Sequence, residues 1–201
     1  MRVSWKHEHT EFSNPSFEQK VELFYEQTLG WQLHIADLLA NGGATFEANG
    51  GRPSYPVDAV EHSGFAVLHI CLSYFELIGS VIVASSKNTR SVTRFKAGAA
   101  DVFPMHFNGS QWGERLLNRL YKGARCGLYH AGRTGRYVGL GSPPDGTALL
   151  YIPESDQAVI SPERLPIALK AHLEKFRLEL LNPARVALRA QFERRFDEGF
   201  G

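Results

Sequence analysis

Two residues suited to proton transfer and charge stabilisation lie five positions apart in the stretch RCGLYH, which runs from Arg125 to His130. On an ideal α-helix this separation turns the two side chains ~140° apart, so they do not form the usual i,i+4 pair. His130 precedes an Ala-Gly sequence typical of a helix C-terminus, where the helix dipole favours the imidazolium. An imidazolium can protonate a leaving alkoxide, and a guanidinium can neutralise a phosphate in a transition state. These are the groups that a metal-independent ribonuclease needs.

Basic residues are concentrated around this pair. Residues 109–136 hold six basic side chains and one acidic one, whereas residues 1–61 hold four basic and nine acidic side chains. A basic patch of this kind attracts phosphates. We therefore take Arg119, Lys122 and Arg133 as candidate RNA-binding residues. The alternative is a solvated helix face whose charge is balanced by the acidic N-terminal part of the chain.

Three further residues could support the pair. Glu76 lies in an apolar helix and could orient Arg125 as a buried charge partner, or it could face solvent through a gap in the packing. Tyr129 could stack on a base, or it could be a core aromatic residue. Cys126 could be a reactive thiol at an electropositive site, or a small core residue. His69, on the apolar helix, is predicted to be a core histidine.

The elements that position these residues are mostly helical. Apolar periodicity, caps and breakers predict an amphipathic helix over 16–40, with Leu23, Trp31, Ile35 and Leu38 on its apolar face, and a loop over 41–58. The apolar run 64–84 predicts a buried central helix, because Glu76 near its middle would be costly in lipid. Further helices are predicted over 89–102, 110–131, 161–181 and 184–197, with two or three short strands over 136–160.

The predicted fold class is therefore mainly α, a helical bundle with a small β-hairpin insertion. At 201 residues the chain is expected to form a single domain. Its parts are an N-terminal helix and loop (1–58), core helices with the motif (59–132), the hairpin (133–160) and C-terminal helices (161–201).

The arginine–histidine pair near the end of a bundle helix resembles the signature of the HEPN superfamily, in which four to six residues separate the two. RCGLYH matches the four-residue form, and the apolar helix containing Tyr74, Phe75 and Glu76 is similar to the family's central helix. HEPN proteins are small helical bundles, often homodimers, in which two motif copies meet at one cleft. Many cleave RNA without metal as toxins or defence effectors, and others only bind nucleotides or partners. The resemblance implies that Arg125 and His130 are catalytic residues of a composite site, although active members commonly carry a polar residue where Cys126 stands.

The function expected from this resemblance is a metal-independent endoribonuclease of the toxin, defence or stress-response type. The alternative is a non-catalytic module that binds a nucleotide, RNA or a protein partner. The expected partners are RNA, a second copy of the chain, and an antitoxin or other protein. No cofactor and no metal are expected, because His7 and His9 lack a nearby third ligand. With two cysteines and no apolar leader, a cytoplasmic protein with no membrane segment is expected.

Overall fold

The computed structural model describes Ser4 and residues 14–46, 54–83, 89–107 and 111–200. Of the described residues 64% are helical and 9% lie in strands, which confirms a mainly α fold with a small β insertion. The α-helices are α1 (Phe17–Thr28), α2 (His34–Asn41), α3 (Gly64–Ile82), α4 (Ser91–Val102), α5 (Pro104–Phe107), α6 (Gly113–Asn118), α7 (Gly127–Ala131), α8 (Leu165–Leu181) and α9 (Val186–Phe200). Two π-helical segments, Leu29–Leu33 and Arg119–Cys126, join α1 to α2 and α6 to α7.

The N-terminal helical segment, which consists of α1, the first π-helical segment and α2, begins at a capping box. The Ser16 hydroxyl accepts a hydrogen bond from the Gln19 backbone N–H, and the Gln19 side chain accepts one from the Ser16 N–H. The predicted continuous helix is present, but its middle is π-helical. The prediction that Trp31 and Ile35 lie on the buried apolar face is wrong, because their side chains are 50% and 42% exposed. A π-helical turn holds an extra residue and rotates the side chains that follow it.

Helix α3 is the centre of the bundle. Its mean hydropathy is 1.8, and among the described residues it is the one helix long and apolar enough to cross a membrane. Half of it is buried inside the fold, with Tyr74 and Phe75 almost fully enclosed. A core helix of a globular protein has the same length and composition, so this burial agrees with the predicted central helix.

Helices α3 and α4 pack backbone against backbone. A Cβ atom built on Gly79 would lie 1.7 Å from the Arg94 carbonyl oxygen, and one on Gly98 would lie 1.9 Å from the Phe75 carbonyl oxygen. Only glycine permits this approach at either position. The Phe75 ring then meets the Phe95 ring edge-on, with centroids 5.4 Å apart. This contact adds aromatic packing to the interface between α3 and α4.

The helix that carries the motif is α6, the second π-helical segment and α7 in succession. It ends where predicted, because Gly132 adopts φ 64° and its N–H bonds to the Leu128 carbonyl oxygen. The chain then folds back along the helix, and the Gly135 N–H donates to the Gly123 carbonyl oxygen at 2.7 Å. The returning segment leads into the sheet.

Three strands form the β insertion: β3 (Val138–Leu140), β4 (Leu149–Ile152) and β5 (Gln157–Ile160), in the order β3-β5-β4. The predicted hairpin corresponds to the antiparallel pair β4–β5. Strand β3 adds a parallel pairing with β5, in which Val138 lies opposite Ala158. The predicted loop over 41–58 contains a two-residue antiparallel pair, β1 (Gly43–Ala44) and β2 (Pro56–Val57), and its residues 47–53 lie outside the described part.

The C-terminal helices α8 and α9 pack against both α1 and α3. The Ser161 hydroxyl accepts from the Arg164 backbone N–H at 3.2 Å, as expected of a serine cap, and α8 itself begins four residues later. Asn182 and Pro183 end α8 as predicted. Phe192 of α9 packs edge-on against Phe24 of α1, with ring centroids 5.4 Å apart.

Candidate functional site

An ion pair between Arg125 and Glu76 joins the motif helix to α3. The Arg125 guanidinium Nη2 lies 2.9 Å from Glu76 Oε2, and each side chain is 23% exposed. Ser91, the first residue of α4, donates its hydroxyl to the other carboxylate oxygen of Glu76. Glu76 is therefore held by α4 and in turn holds Arg125, which is the pairing that the sequence suggested.

The same contact stabilises the charged form of Arg125. Burial disfavours the charged guanidinium, but the hydrogen bond and negative charge of Glu76 outweigh it, so the pKa of Arg125 is raised above its ordinary value. Arginine is a cation at any ordinary pH, and here a second, partly buried side chain fixes its orientation.

Arg125 opens onto a small surface cavity, which we call the Arg125 pocket. Its volume is about 100 Å³, and it is lined by His69, Leu72, Ser73, Glu76, Arg125, Leu128 and Tyr129. His69, Ser73 and Glu76 follow one face of α3 at i, i+4 and i+7. The pocket therefore combines a fixed cation, a hydroxyl and an imidazole on an otherwise apolar floor.

Tyr129 forms the outer wall of the Arg125 pocket and is 63% exposed. Arg125 lies under its ring, with the guanidinium carbon 4.8 Å from the ring centroid. The ring is stacked with that of His69 at 6.1 Å and meets that of His130 edge-on at 5.2 Å. One exposed aromatic ring thus contacts the cation and two imidazoles.

His130 lies outside the lining of the Arg125 pocket. It is exposed in the last turn of α7 and reaches the pocket through the Tyr129 ring. Arg125 belongs to the π-helical segment and faces α3, whereas His130 belongs to the α-helical turn beyond it. The structure brings together Arg125, Glu76 and Tyr129, and it places His130 at the rim.

The remaining candidate residues lie away from this pocket. Cys126 is a half-buried free thiol, and Lys122 and Arg133 are exposed. Arg119 pairs with Asp156, while its guanidinium carbon lies 3.9 Å from the centroid of the Tyr137 ring. Hydrogen bonds from the Arg119 guanidinium and the Tyr151 hydroxyl lower the pKa of Asp156 to about 2.

Sequence reasoning missed His69 as a site residue, and the prediction of a core histidine there is wrong, because the side chain is exposed. The apolar residues of α3 extend around the helix, so apolarity alone does not reveal the open face. The i, i+4, i+7 spacing of His69, Ser73 and Glu76 was the available signal. Ser91 and Asp156 carried no local signal, since each meets its partner only through the fold.

Among the described residues no group of three or more histidine, cysteine, aspartate or glutamate side chains could hold a metal ion. The His7 and His9 pair lies outside the part that the structure describes.

No family model matches the chain, and no curated protein or solved structure is significantly similar to it.

Proposed function

We propose that this protein is a metal-independent endoribonuclease similar to HEPN nucleases, of the toxin, defence or stress-response type, with its active site at the Arg125 pocket. The observation that carries the proposal is the exposed Tyr129 ring, which contacts the fixed Arg125 cation, His69 and His130. Cleavage of a phosphodiester needs a cation to stabilise the negative charge that develops in the transition state, and two groups that transfer protons.

In the proposed reaction the 2′-hydroxyl of the substrate attacks the adjacent phosphorus. A base removes the 2′-hydroxyl proton, the bond from O2′ to phosphorus forms, and the bond from phosphorus to O5′ breaks. His130 protonates the departing O5′, and Arg125 stabilises the pentacoordinate phosphate. The products are a 2′,3′-cyclic phosphate and a 5′-hydroxyl.

Two groups can act as the base. The first is His130 of a second copy of the chain, as the HEPN resemblance implies for a homodimer. The second is His69 of the same chain, which lines the Arg125 pocket and stacks on Tyr129. Glu76 is a positioning residue in either case, since it contacts Arg125 and reaches the reaction through it.

The surroundings of the pocket suit a polyanionic substrate. Lys122 precedes the motif and Arg133 follows it, and both are exposed, so they would hold flanking phosphates. The proposed setting is the cytoplasm, with RNA as substrate and an antitoxin or another protein as a regulating partner.

A non-catalytic module that binds a nucleotide, RNA or a protein is the second candidate. The observation that favours it is the engagement of Arg125 by Glu76, combined with the position of His130 outside the pocket lining. In that case the ion pair would serve mainly to join α3 to the motif helix.

The test is cleavage of end-labelled RNA by purified protein in excess EDTA. We expect His130→Ala to lower the rate by about 10²- to 10⁴-fold, which is the usual contribution of a proton-transfer group. His62→Asn is the matched control, because it removes another exposed histidine and asparagine tolerates its φ of 61°. His62→Asn should cleave like the wild type.

His69→Ala separates the two candidate bases. If His69 is the base, this variant loses the limb of the pH–rate profile that reports the base while its thermal stability is unchanged. Absence of wild-type cleavage on single-stranded and structured RNAs would contradict the nuclease and leave the binding module. Equal cleavage by the wild type and His130→Ala would remove His130 from the mechanism.

A further inference from the structure

A second basic cavity lies on the motif helix, apart from the Arg125 pocket. Its volume is about 330 Å³, and we call it the Asp156 groove; it is lined by Arg115, Asn118, Arg119, Lys122, Gly123 and Asp156. Arg115 and Lys122 are exposed there, and Asp156 is the only acidic residue among the described residues that line it. Three cations thus line the groove together with one carboxylate, which is paired with Arg119.

Asp156 reaches the groove from the turn between β4 and β5. Its Oδ2 accepts a hydrogen bond from the Arg119 guanidinium, and its Oδ1 accepts one from the Tyr151 hydroxyl at 2.5 Å. The residue has φ 53°, in the left-handed region that aspartate and asparagine tolerate best among side-chain-bearing residues. Each oxygen of this carboxylate therefore accepts a hydrogen bond, as two oxygens of a bound phosphate would.

Arg119 is held in place from a second direction. Its guanidinium lies over the Tyr137 ring at 3.9 Å, and the guanidinium of Arg136 lies 4.5 Å from the same ring centroid. The Tyr137 contact does not depend on Asp156. Neutralising Asp156 should therefore leave Arg119 in the groove with its charge available to another anion.

We propose that the Asp156 groove is a phosphate-binding subsite for the RNA backbone and that the Asp156 carboxylate occupies it in the free protein. A bound phosphate displaces Asp156 from Arg119. The inference rests on the proposed function only for the identity of the polyanion as RNA. Arg119 and Arg125 are six residues apart, less than roughly 9 Å along the helix axis, but Arg119 faces the β insertion and Arg125 faces α3. A strand that occupies both sites therefore follows the surface of the motif helix between them.

The Asp156 side chain would make the groove select an oligonucleotide over a single phosphate. A single phosphate has to compete with a carboxylate that is already tethered in the groove, whereas an oligonucleotide anchored at the Arg125 pocket presents its next phosphates at high local concentration. Asp156 therefore lowers the affinity of the groove for isolated anions more than its affinity for a nucleic acid strand.

The experiment measures binding of a fluorescein-labelled single-stranded RNA of about twelve nucleotides by fluorescence anisotropy, with the full chain carrying His130→Ala to prevent cleavage. Asp156→Asn keeps the size of the side chain and tolerates the φ. We expect this variant to bind about threefold to tenfold more tightly at low salt. The slope of log affinity against log salt should steepen by about 0.7, the value for one additional phosphate contact on a single strand.

Glu154→Gln is the matched control, since Glu154 is an exposed carboxylate two residues from Asp156 on the same turn. It removes the same charge and should leave the salt slope unchanged. Arg119→Gln in the Asp156→Asn background should return the affinity to the starting value. A circular dichroism melt of each variant shows that the fold is retained.

Unchanged or weaker binding by a folded Asp156→Asn variant would overturn the subsite, and so would an equal gain in Glu154→Gln. The outcome is separable from that of the nuclease test. A gain in binding without cleavage by the wild type supports the subsite and rejects the nuclease, whereas cleavage without the gain rejects the subsite alone.

Discussion

The contact between Glu76 and Arg125 makes a quantitative prediction about both stability and activity. Glu76→Gln keeps the shape of the side chain and an oxygen that can accept from Ser91, but it removes the charge that faces Arg125. Exposed ion pairs contribute at most about 1 kcal/mol, and losing one partner of a fully buried pair costs roughly 3–5 kcal/mol.

Both side chains of this pair are 23% exposed, so the cost should fall between those two limits. We expect the free energy of unfolding to fall by about 2 kcal/mol, which for a chain of this length lowers Tm by roughly 4–8 °C. Because the pair is mostly shielded from water, added salt should reduce this difference only slightly.

The assay is thermal unfolding followed by circular dichroism, together with RNA cleavage rates over a range of substrate concentrations that gives kcat and KM. Glu114→Gln is the control, because Glu114 pairs with Lys96 while its own side chain is 70% exposed. The control should change Tm by less than the Glu76 variant does. If Glu76 positions Arg125 for the reaction, Glu76→Gln should lower kcat with little change in KM.

Equal Tm values for Glu76→Gln and Glu114→Gln would refute the assignment of stability to the pair. A clear loss of Tm with wild-type kcat would refute the positioning role, and it would favour the non-catalytic interpretation of the contact.

The two remaining predictions concern a glycine contact and an acid titration. Gly79→Ala should destabilise the fold by several kcal/mol, on the order of the largest single-substitution effects, because its Cβ would lie 1.7 Å from the Arg94 carbonyl oxygen. Urea unfolding tests this prediction, and an unchanged midpoint would contradict it. The pKa of Asp156 is lowered to about 2, so its contact stabilises the fold above the unfolded-state pKa of about 4 and is lost as pH falls through 2. An NMR titration of the Asp156 carboxyl carbon should show a midpoint near 2 in the folded protein, and a midpoint at the ordinary value would contradict the Arg119 contact.

Much of the fold could be predicted from local sequence. The apolar run that forms α3 begins at the predicted residue, Gly64, and Gly132 ends the motif helix as expected. These features depend on burial periodicity and on turn chemistry, which neighbouring residues determine. The pairing of Glu76 with Arg125 could also be anticipated, since a carboxylate within an apolar helix needs a partner.

The parts that could not be predicted depend on long-range pairing or on helix type. Strand β3 pairs in parallel with β5, and both strands also pack against the motif helix, which is distant in sequence from β5. Asp156 meets Arg119 across 37 positions of sequence. The exposure of Trp31 follows from a π-helical turn, which apolar spacing computed for an α-helix does not describe.

The wide turns between Arg119 and Cys126 also determine how the motif helix tolerates a change in length. A π-helical turn takes up one residue more than an α-helical turn for a similar advance along the axis, so it accommodates an insertion within a continuous helix. Deleting one residue from this segment lets an α-helical turn form there while α6 and α7 keep their orientation. The count of residues between Arg119 and His130 can thus change by one without moving the helix end that carries His130.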